Sequence, residues 1–194
     1  MKYTSYIISI FVILFGFPYY VLVGGYTLQG PSWSCSDVSG LGWFVLPRSN
    51  YRTYIINSLT AADDHWNGVV KSTPVLIPWF YKSPSRSLAE IIIKSRDKGD
   101  NRVLATTRLV VNGNRIVKVY ITVNSYYLEN GYYLSNEHFY FVLNHELGHA
   151  LGLGHNNLDD NVLMYPTDRP YRIYGIFYPV TDDIEGVTQL YGIC

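Results

Sequence analysis

The sequence predicts an α+β domain, with a mixed twisted sheet, one central helix and a C-terminal helix. Three patterns lead to this fold class: apolar residues at helical spacing, alternating β-branched residues in the middle of the chain, and a helix start near the C-terminus. A folded core is expected, because 48% of the 194 residues are hydrophobic and 16% are aromatic. Fifteen basic residues balance fifteen acidic ones, so no nucleic-acid partner is expected.

The first predicted helix ends near Gly68, before Pro74. Its core face consists of apolar residues at helical spacing: Ile55, Leu59, Ala62, Trp66 and Val69. Three polar residues fall elsewhere on the helical wheel: Asp63, Asp64 and Asn67.

Strands are predicted in four segments, residues 75–80, 89–93, 103–111 and 116–123. The last two flank Asn112 and Gly113, a strong signal for a tight hairpin. In the last strand one face is wholly β-branched and is therefore predicted to be buried: Val117, Val119, Ile121 and Val123.

The second helix is predicted over roughly residues 137–151. Ser135 can cap its start, and Glu137 suits the positive end of the helix dipole. One apolar stripe would face the core: Phe139, Leu143, Leu147 and Ala150. A final helix is predicted to begin at residues 181–183, and its apolar residues Ile184, Val187 and Tyr191 lie on one face.

Residues 1–25 are predicted to be a secretory signal peptide or an N-terminal membrane anchor. Lys2 precedes residues 7–17, which are apolar apart from Ser9 and Gly16. The apolar character continues to residue 23, so residues 6–24 are about long enough for a tilted anchor. Both alternatives place the rest of the chain outside the cell. Residues 26–48 are predicted to be an irregular lead-in, and residues 49–194 the main domain, which we expect to be a monomer.

Two cysteines, Cys35 and Cys194, lie near the two ends of the chain that would follow the leader. In an oxidising compartment they could form one disulfide that closes almost the whole domain. Two unrelated thiols are the alternative, because a sequence does not show proximity.

Residues 145–155 read H-E-L-G-H-A-L-G-L-G-H. His145 and His149 are four residues apart, so on a helix both imidazoles project from one face and can reach one metal ion. Gly152 supplies the backbone angles that let the chain turn back, and His155 then arrives as a third nitrogen ligand. Three protein ligands with an open fourth position are typical of a catalytic zinc site. Glu146 is placed to contact water at the metal rather than the metal itself.

This motif, together with the methionine turn at residues 163–166, resembles the metzincins and, within them, the matrixins (the matrix-metalloproteinase clan). The resemblance covers roughly residues 49–192 and implies a zincin-like fold, one catalytic zinc ion and endopeptidase activity on polypeptides. It implies that Met164 packs beneath the zinc ligands and that Glu146 activates the attacking water. Tyr165 and Pro166 would form part of the pocket wall beyond the cleaved bond, and an extended substrate would pair with the strand at residues 103–111.

The sequence departs from the matrixin pattern in several places. Nine positions separate His155 from Met164, one more than is usual, so a bulge in the connecting loop is expected. Asn156 replaces the residue that commonly follows the third ligand, and no cysteine-switch segment is present. His65 and His138 are too few for a second zinc site and are predicted to be surface or cap residues.

Calcium binding is expected as an alternative to simple solvation at several acidic turns. Oxygen-bearing side chains that could take part, or could simply be solvated turn residues, are Asp97, Asp100, Asn157, Asp159 and Asp160. Two other functions stay open: a zinc-binding extracellular module without proteolytic activity, and a zinc hydrolase of a non-peptide amide or ester.

Overall fold

The computed structural model describes residues 4–9, 27–70, 79–192 and 194. The strands are β1 (Thr4–Ser9), β2 (Leu41–Val45), β3 (Phe80–Lys82), β4 (Ile91–Arg96), β5 (Ala105–Asn112) and β6 (Arg115–Asn124). The helices are α1 (Cys35–Val38), α2 (Arg52–Val70), α3 (Ser125–Glu129), α4 (Asn136–Ala150), α5 (Arg169–Tyr174) and α6 (Thr181–Tyr191).

The strands of the described residues form one mixed sheet in the order β1-β5-β6-β4-β2-β3. β2 is parallel to β3 and to β4, and β4 is parallel to β6. β5 runs antiparallel to β6, as the hairpin signal predicted. α2 and α4 pack against each other, and α4 also packs on β5. The predicted α+β class is confirmed.

The outer edge of β5 is covered by β1, which runs antiparallel from the pair Thr4–Val111 to the pair Ser9–Thr106. Part of the predicted leader is therefore an edge strand, and residues 10–24 of the proposed anchor lie outside the described residues. In the described ranges no helix has both the length and the apolar character needed to cross a membrane.

The lead-in is more regular than the sequence predicted. α1 and β2 lie within residues 26–48, and β2 is an inner strand between β3 and β4. Leu41 and Trp43 are fully buried. A short inner parallel strand is apolar on both faces and lacks the alternation that identifies a half-buried strand. Because β2 lacks this alternation and is surrounded by glycines and serines, the sequence pattern did not predict it as a strand.

The β5–β6 hairpin differs from its prediction in two ways. Asn112 pairs with Arg115, so the two-residue turn is Gly113–Asn114 rather than Asn112–Gly113. Gly113 has φ 63°, which suits the first central position of such a turn. The register also shifts, because Val110 pairs with Lys118 and Val111 with Ile116.

This shift makes Val117 the extra residue of a β-bulge. Ile116 is fully buried whereas Val117 is half-buried, so the predicted inward face is wrong at Val117. It is correct for Val119, Ile121 and Val123, which are all fully buried. A bulge reverses the alternation of a strand at one point, and the hydrophobic pattern alone did not indicate where.

Two polar residues of α2 are buried although they lie off its apolar stripe. Asp63 Oδ2 accepts a hydrogen bond from the Trp43 indole N–H at 2.7 Å. Asn67 exchanges two hydrogen bonds with the backbone of Phe80, at 2.8 and 2.9 Å. These contacts attach α2 to β2 and β3, and they satisfy polar groups that burial would otherwise leave unpaired.

Candidate active site

α4 carries the first half of the motif and begins where the sequence predicted. The Ser135 hydroxyl oxygen accepts a hydrogen bond from the His138 backbone N–H at 3.3 Å, which caps the helix. The helix is buried on most sides, beyond its predicted stripe. It therefore presents His145, Glu146 and His149 inside the domain rather than on its surface, since all three are fully buried.

The three motif histidines converge through their Nε2 atoms. His149 Nε2 lies 3.1 Å from His145 Nε2 and 3.1 Å from His155 Nε2. A tetrahedral zinc ion with Zn–N bonds of about 2.0–2.1 Å places its nitrogen ligands about 3.3 Å apart. Within the described part of the chain, this is the only cluster of three or more His, Cys, Asp or Glu residues that could hold a metal ion. The donor set fits zinc.

The other ring nitrogens fix the histidine tautomers. His145 Nδ1–H donates to the Leu163 carbonyl oxygen at 2.8 Å, and His149 Nδ1–H donates to the Leu153 carbonyl oxygen at 2.8 Å. A proton on each Nδ1 leaves the Nε2 lone pair free to bind metal, and such contacts also fix the orientation of each ring.

His155 reaches the cluster because the chain reverses after α4. Gly152 has φ 99°, and a Cβ there would lie 2.8 Å from the Pro31 carbonyl oxygen, so the position requires glycine. The reversed loop pairs with the lead-in. The Thr27 hydroxyl donates to the His155 carbonyl oxygen at 2.5 Å, and Gly154 N–H donates to the Thr27 carbonyl oxygen at 2.7 Å. No local pattern in the sequence predicted this contact.

The methionine turn lies beneath the histidines. Met164 is buried, and a Cβ added at Gly148 would come within 2.4 Å of its Sδ, so Met164 packs directly on the helix between the two histidines of α4. The Asp183 carboxylate of α6 accepts hydrogen bonds from the backbone N–H groups of Leu163 and Met164 at 3.2 and 3.1 Å. The closing helix thus holds this turn against the site.

Glu146 lies beside His145 with its carboxylate held on one side. The Thr107 hydroxyl of β5 donates a short hydrogen bond to Glu146 Oε2. Glu146 Oε1 is buried and has no hydrogen-bond partner. A carboxylate with one fixed and one free oxygen is suited to accept a proton at the free atom.

Burial dominates the electrostatics of the site. It lowers the pKa of His145 to about 3 and that of His155 to about 4, and it lowers the pKa of His149 well below its usual value. All three imidazoles are therefore neutral near pH 7, the state that binds metal. Burial raises the pKa of Glu146 to about 8, against the opposing hydrogen bond from Thr107, and a cation held by the adjacent histidines would lower it again toward the ionised state that a base requires.

The nine-position spacing between His155 and Met164 is accommodated by a turn that Asn156 organises. Asn156 is fully buried, and its Oδ1 accepts hydrogen bonds from the N–H groups of Leu158 and Asp159. Its own N–H donates to the Met164 carbonyl oxygen at 2.9 Å. The residue that departs from the usual pattern therefore closes the longer loop. Tyr165 and Pro166, the predicted wall residues, are half-buried just after this turn.

The prediction for His138 is wrong, because its side chain is fully buried. His138 Nδ1 accepts a hydrogen bond from the Leu134 N–H, and Nε2 donates to Asp168 Oδ2 at 2.8 Å. Although burial opposes it, hydrogen bonds from His138 and Arg172 keep the pKa of Asp168 below its usual value. His65 is half-buried, and its Nδ1 accepts from the Asn144 amide at 2.8 Å. Neither side chain is a simple surface residue.

In the described part of the chain, no three of the aspartates proposed for calcium form a group that could hold a metal ion. Asp97 and Asp159 each accept a local backbone N–H, from Gly99 and Asn161. Asp160 pairs with Arg169, and Asp100 accepts from the Tyr127 hydroxyl at 2.8 Å. These contacts are those of ordinary turn residues.

A disulfide joins Cys35 to Cys194, with Cα atoms 5.1 Å apart and 159 residues of separation along the sequence. It attaches the middle of the lead-in to Cys194, just beyond α6. The Trp33 indole N–H donates to the Ala150 carbonyl oxygen at 2.8 Å, so the same region also contacts the end of α4.

Comparison with known proteins agrees with this geometry. A family model described as Matrixin matches residues 61–192. Human matrix metalloproteinase-20 is 47% identical over 53 residues, which are 27% of this chain and 11% of that protein. Rat (Rattus norvegicus) matrilysin is 48% identical over 54 residues, 28% of this chain and 20% of its own length. Metalloendoproteinase 1-MMP of Arabidopsis thaliana is 47% identical over 51 residues, 26% of this chain and 13% of its own length.

The aligned part therefore spans only about a tenth to a fifth of the length of these curated relatives. The family match, in contrast, covers more than half of this chain and includes the three histidines, the methionine turn and α6. On that match and on the converging histidines, the chain belongs to the matrixin family.

Proposed function

We propose that this protein is a zinc-dependent endopeptidase that hydrolyses peptide bonds of extracytoplasmic proteins. His145, His149 and His155 hold the zinc ion, and Glu146 is the general base. The observation that carries this proposal is the convergence of three Nε2 atoms, within 4.8 Å of one another. Glu146, the residue next to His145 on the same helix, has a buried carboxylate with one free oxygen. Family membership and the metal-binding tautomers support it.

Zinc in this position supplies a Lewis acid for the scissile carbonyl and makes the attacking water more acidic. The protein provides the remaining steps. Glu146 accepts the proton of the water at Oε1 and then delivers it to the leaving amine. His145 and His149 keep their Nδ1 protons on backbone carbonyl groups, so their rings stay oriented throughout.

The substrate would lie along the outer edge of β5 as an added antiparallel strand. The pairing of β1 with residues 106–111 supports this placement, because it is a segment of extended chain bound at the same edge. In this structure β1 occupies that edge. We therefore propose that the substrate reaches the edge of β5 only after residues 4–9 have left it. Removal of a signal peptide at about residue 25 would have this effect. Tyr165 and Pro166 would then line the pocket beyond the cut.

We also propose that the protein is secreted and monomeric, and that its catalytic domain covers residues 49–194. The disulfide supports an oxidising, extracytoplasmic location. The contacts of Thr27 with His155 and of Trp33 with the end of α4 extend the structural unit to residue 27, so a shorter piece would lose part of the support for His155.

The experiment is a substrate screen of the purified protein and of Glu146→Gln, with zinc measured in each. We expect the unmodified protein to cleave unfolded polypeptides, and Glu146→Gln to keep one equivalent of zinc while hydrolysis falls about a hundredfold or more. Glu137→Gln, an exposed glutamate in the first turn of the same helix, is the matched control and should stay active.

Each other outcome has a defined meaning. Zinc binding without turnover of any polypeptide would indicate a binding module, and turnover of amide or ester compounds alone would indicate a different hydrolase. Loss of zinc from Glu146→Gln would show that Glu146 is a ligand rather than the base.

A further inference from the structure

β5 turns one row of alternating residues toward α4, and that row contains one polar member. Its residues are Ala105, Thr107, Leu109 and Val111, and each has at most 1% of its surface exposed. A threonine in an apolar row that packs on a helix loses the hydration of its hydroxyl group. Burial of that hydroxyl is unfavourable unless it finds a partner.

The partner is the side chain of Glu146. The Thr107 hydroxyl lies at hydrogen-bond distance from Glu146 Oε2 and 3.3 Å from the Glu146 carbonyl oxygen. A hydroxyl has one proton to donate, and a carboxylate oxygen is the stronger acceptor. The hydrogen bond therefore goes mainly to the carboxylate.

This hydrogen bond determines which carboxylate oxygen is free. Oε2 is engaged by Thr107, whereas Oε1 is buried and unpartnered. Without the hydroxyl, both oxygens would lack a protein partner and the carboxylate could rotate about its last bond. With it, the carboxylate plane is fixed and one particular oxygen is left to exchange protons.

We propose that Thr107 is a positioning residue for the reaction: its hydroxyl holds Oε2 of Glu146 so that Oε1 is the proton acceptor. The inference rests on the proposed role of Glu146 as general base. It adds that β5, besides offering an edge to the substrate, orients the base from the inner face of the same strand.

The test compares variants that separate the hydroxyl of Thr107 from its methyl group. Thr107→Val removes the hydroxyl and keeps the shape, and Thr107→Ser keeps the hydroxyl. We expect kcat of Thr107→Val to fall about tenfold or more, because a hydrogen bond to a charged group is lost. KM should change less than about twofold and zinc should stay at one equivalent, because neither substrate nor metal contacts are altered. Thr107→Ser should keep most of the wild-type kcat.

Thr122→Val is the control, since Thr122 lies on the neighbouring strand β6 opposite Thr106, outside the buried row. Should Thr107→Val fail to fold, Thr107→Ala against Thr107→Ser makes the same comparison, because these two differ by the hydroxyl alone. The inference is overturned if removal of the hydroxyl leaves kcat unchanged, if Thr107→Ser loses as much as Thr107→Val, or if zinc is lost together with kcat. Glu146→Gln tests the role of Glu146 separately from that of Thr107. Full activity of Glu146→Gln would overturn the role of Glu146 as base. An inactive Glu146→Gln together with a fully active Thr107→Val would overturn the role of Thr107 only.

Discussion

Asp183 Oδ1 accepts a hydrogen bond from the Met164 backbone N–H at 3.1 Å, and this contact connects the last helix to the turn beneath the histidines. Asp183 Oδ2 accepts two more, from Leu163 and Val180, so a single buried carboxylate orders the methionine turn and the start of α6 together. Burial raises the pKa of Asp183 to about 7, and the three N–H donors oppose that rise.

Asp183→Asn is therefore expected to destabilise the protein by about 1–3 kcal/mol. An amide has one acceptor oxygen instead of two. In the variant, the NH₂ group would therefore face at least one backbone N–H that the wild-type carboxylate accepts, and that N–H would lose its hydrogen bond. The free energy of unfolding in urea measures the effect. Asp182→Asn is the control, because the Asp182 carboxylate accepts a hydrogen bond from the Asn156 amide, at 3.2 Å, instead of from the backbone of the methionine turn. Equal losses in both variants would contradict the role given to Asp183.

Acidification should inactivate the enzyme through loss of zinc before the fold is lost. Protons and zinc compete for the same nitrogens. Because burial lowers the pKa of His145 to about 3 and that of His155 to about 4, proton uptake by the site begins at lower pH than for exposed histidine, whose pKa is about 6.5. The activity midpoint should thus lie below about pH 6.5 and move lower when free zinc is raised.

The measurement is a pH titration of hydrolysis at two free-zinc concentrations, with the far-ultraviolet circular dichroism followed in parallel. A midpoint that does not respond to zinc, or a fold that is lost first, would show that the three histidines do not compete for protons as proposed.

Replacement of both Cys35 and Cys194 by serine should lower the free energy of unfolding by about 5 kcal/mol in the chain-entropy model. The reason is the long loop, which spans 159 residues and whose closure restricts the unfolded chain. Non-reducing peptide mapping should first find the cross-linked pair and no free thiol. Alkylation of both cysteines without prior reduction would refute the pairing.

Thr27→Val is expected to weaken zinc binding up to about tenfold, since one hydrogen bond contributes about 0.5–1.5 kcal/mol. The variant removes the hydroxyl that holds the His155 carbonyl oxygen and leaves the ligand itself unchanged. Zinc affinity by competition with a chelator is the measurement. Thr60→Val, at an exposed position of α2 where the hydroxyl donates to the Ile56 carbonyl oxygen of the same helix, should bind zinc normally.

The sequence predicted those parts of the site that depend on local geometry. His145 and His149 share one helix face, and the turn at Gly152 lies only three residues beyond His149, so spacing alone indicated that the three histidines converge. Thr107 and Thr27 were missed as support for the site, because their partners lie 39 and 128 residues away. Contacts of that separation leave no periodic signal in the chain.

In the fold, too, features set by local sequence were predicted and features set by distant contacts were not. Helices α2, α4 and α6 and the hairpin were predicted because 3.6-residue and two-residue periods are local properties. Helices α1, α3 and α5 were missed, because elements of 4 to 6 residues are too short to show a helical period. The bulge at Val117 and the inner strand β2 were not, because both depend on what the neighbouring strands present. His138 was misjudged for a related reason. It is buried between Tyr171, which stacks on it at 4.6 Å, and Asp168, and these residues belong to α5 and its N-cap, a segment that the sequence predicted to be a loop.

The disulfide between Cys35 and Cys194 also determines whether the fragments separate after autolytic cleavage of the chain. A peptidase at high concentration is exposed to its own activity, and a single break anywhere from residue 36 to residue 193 would leave two fragments still joined covalently. Such a nicked molecule would migrate as an intact chain without reductant and separate only when reduced. Ageing preparations would then retain their apparent mass while the number of intact backbones declined.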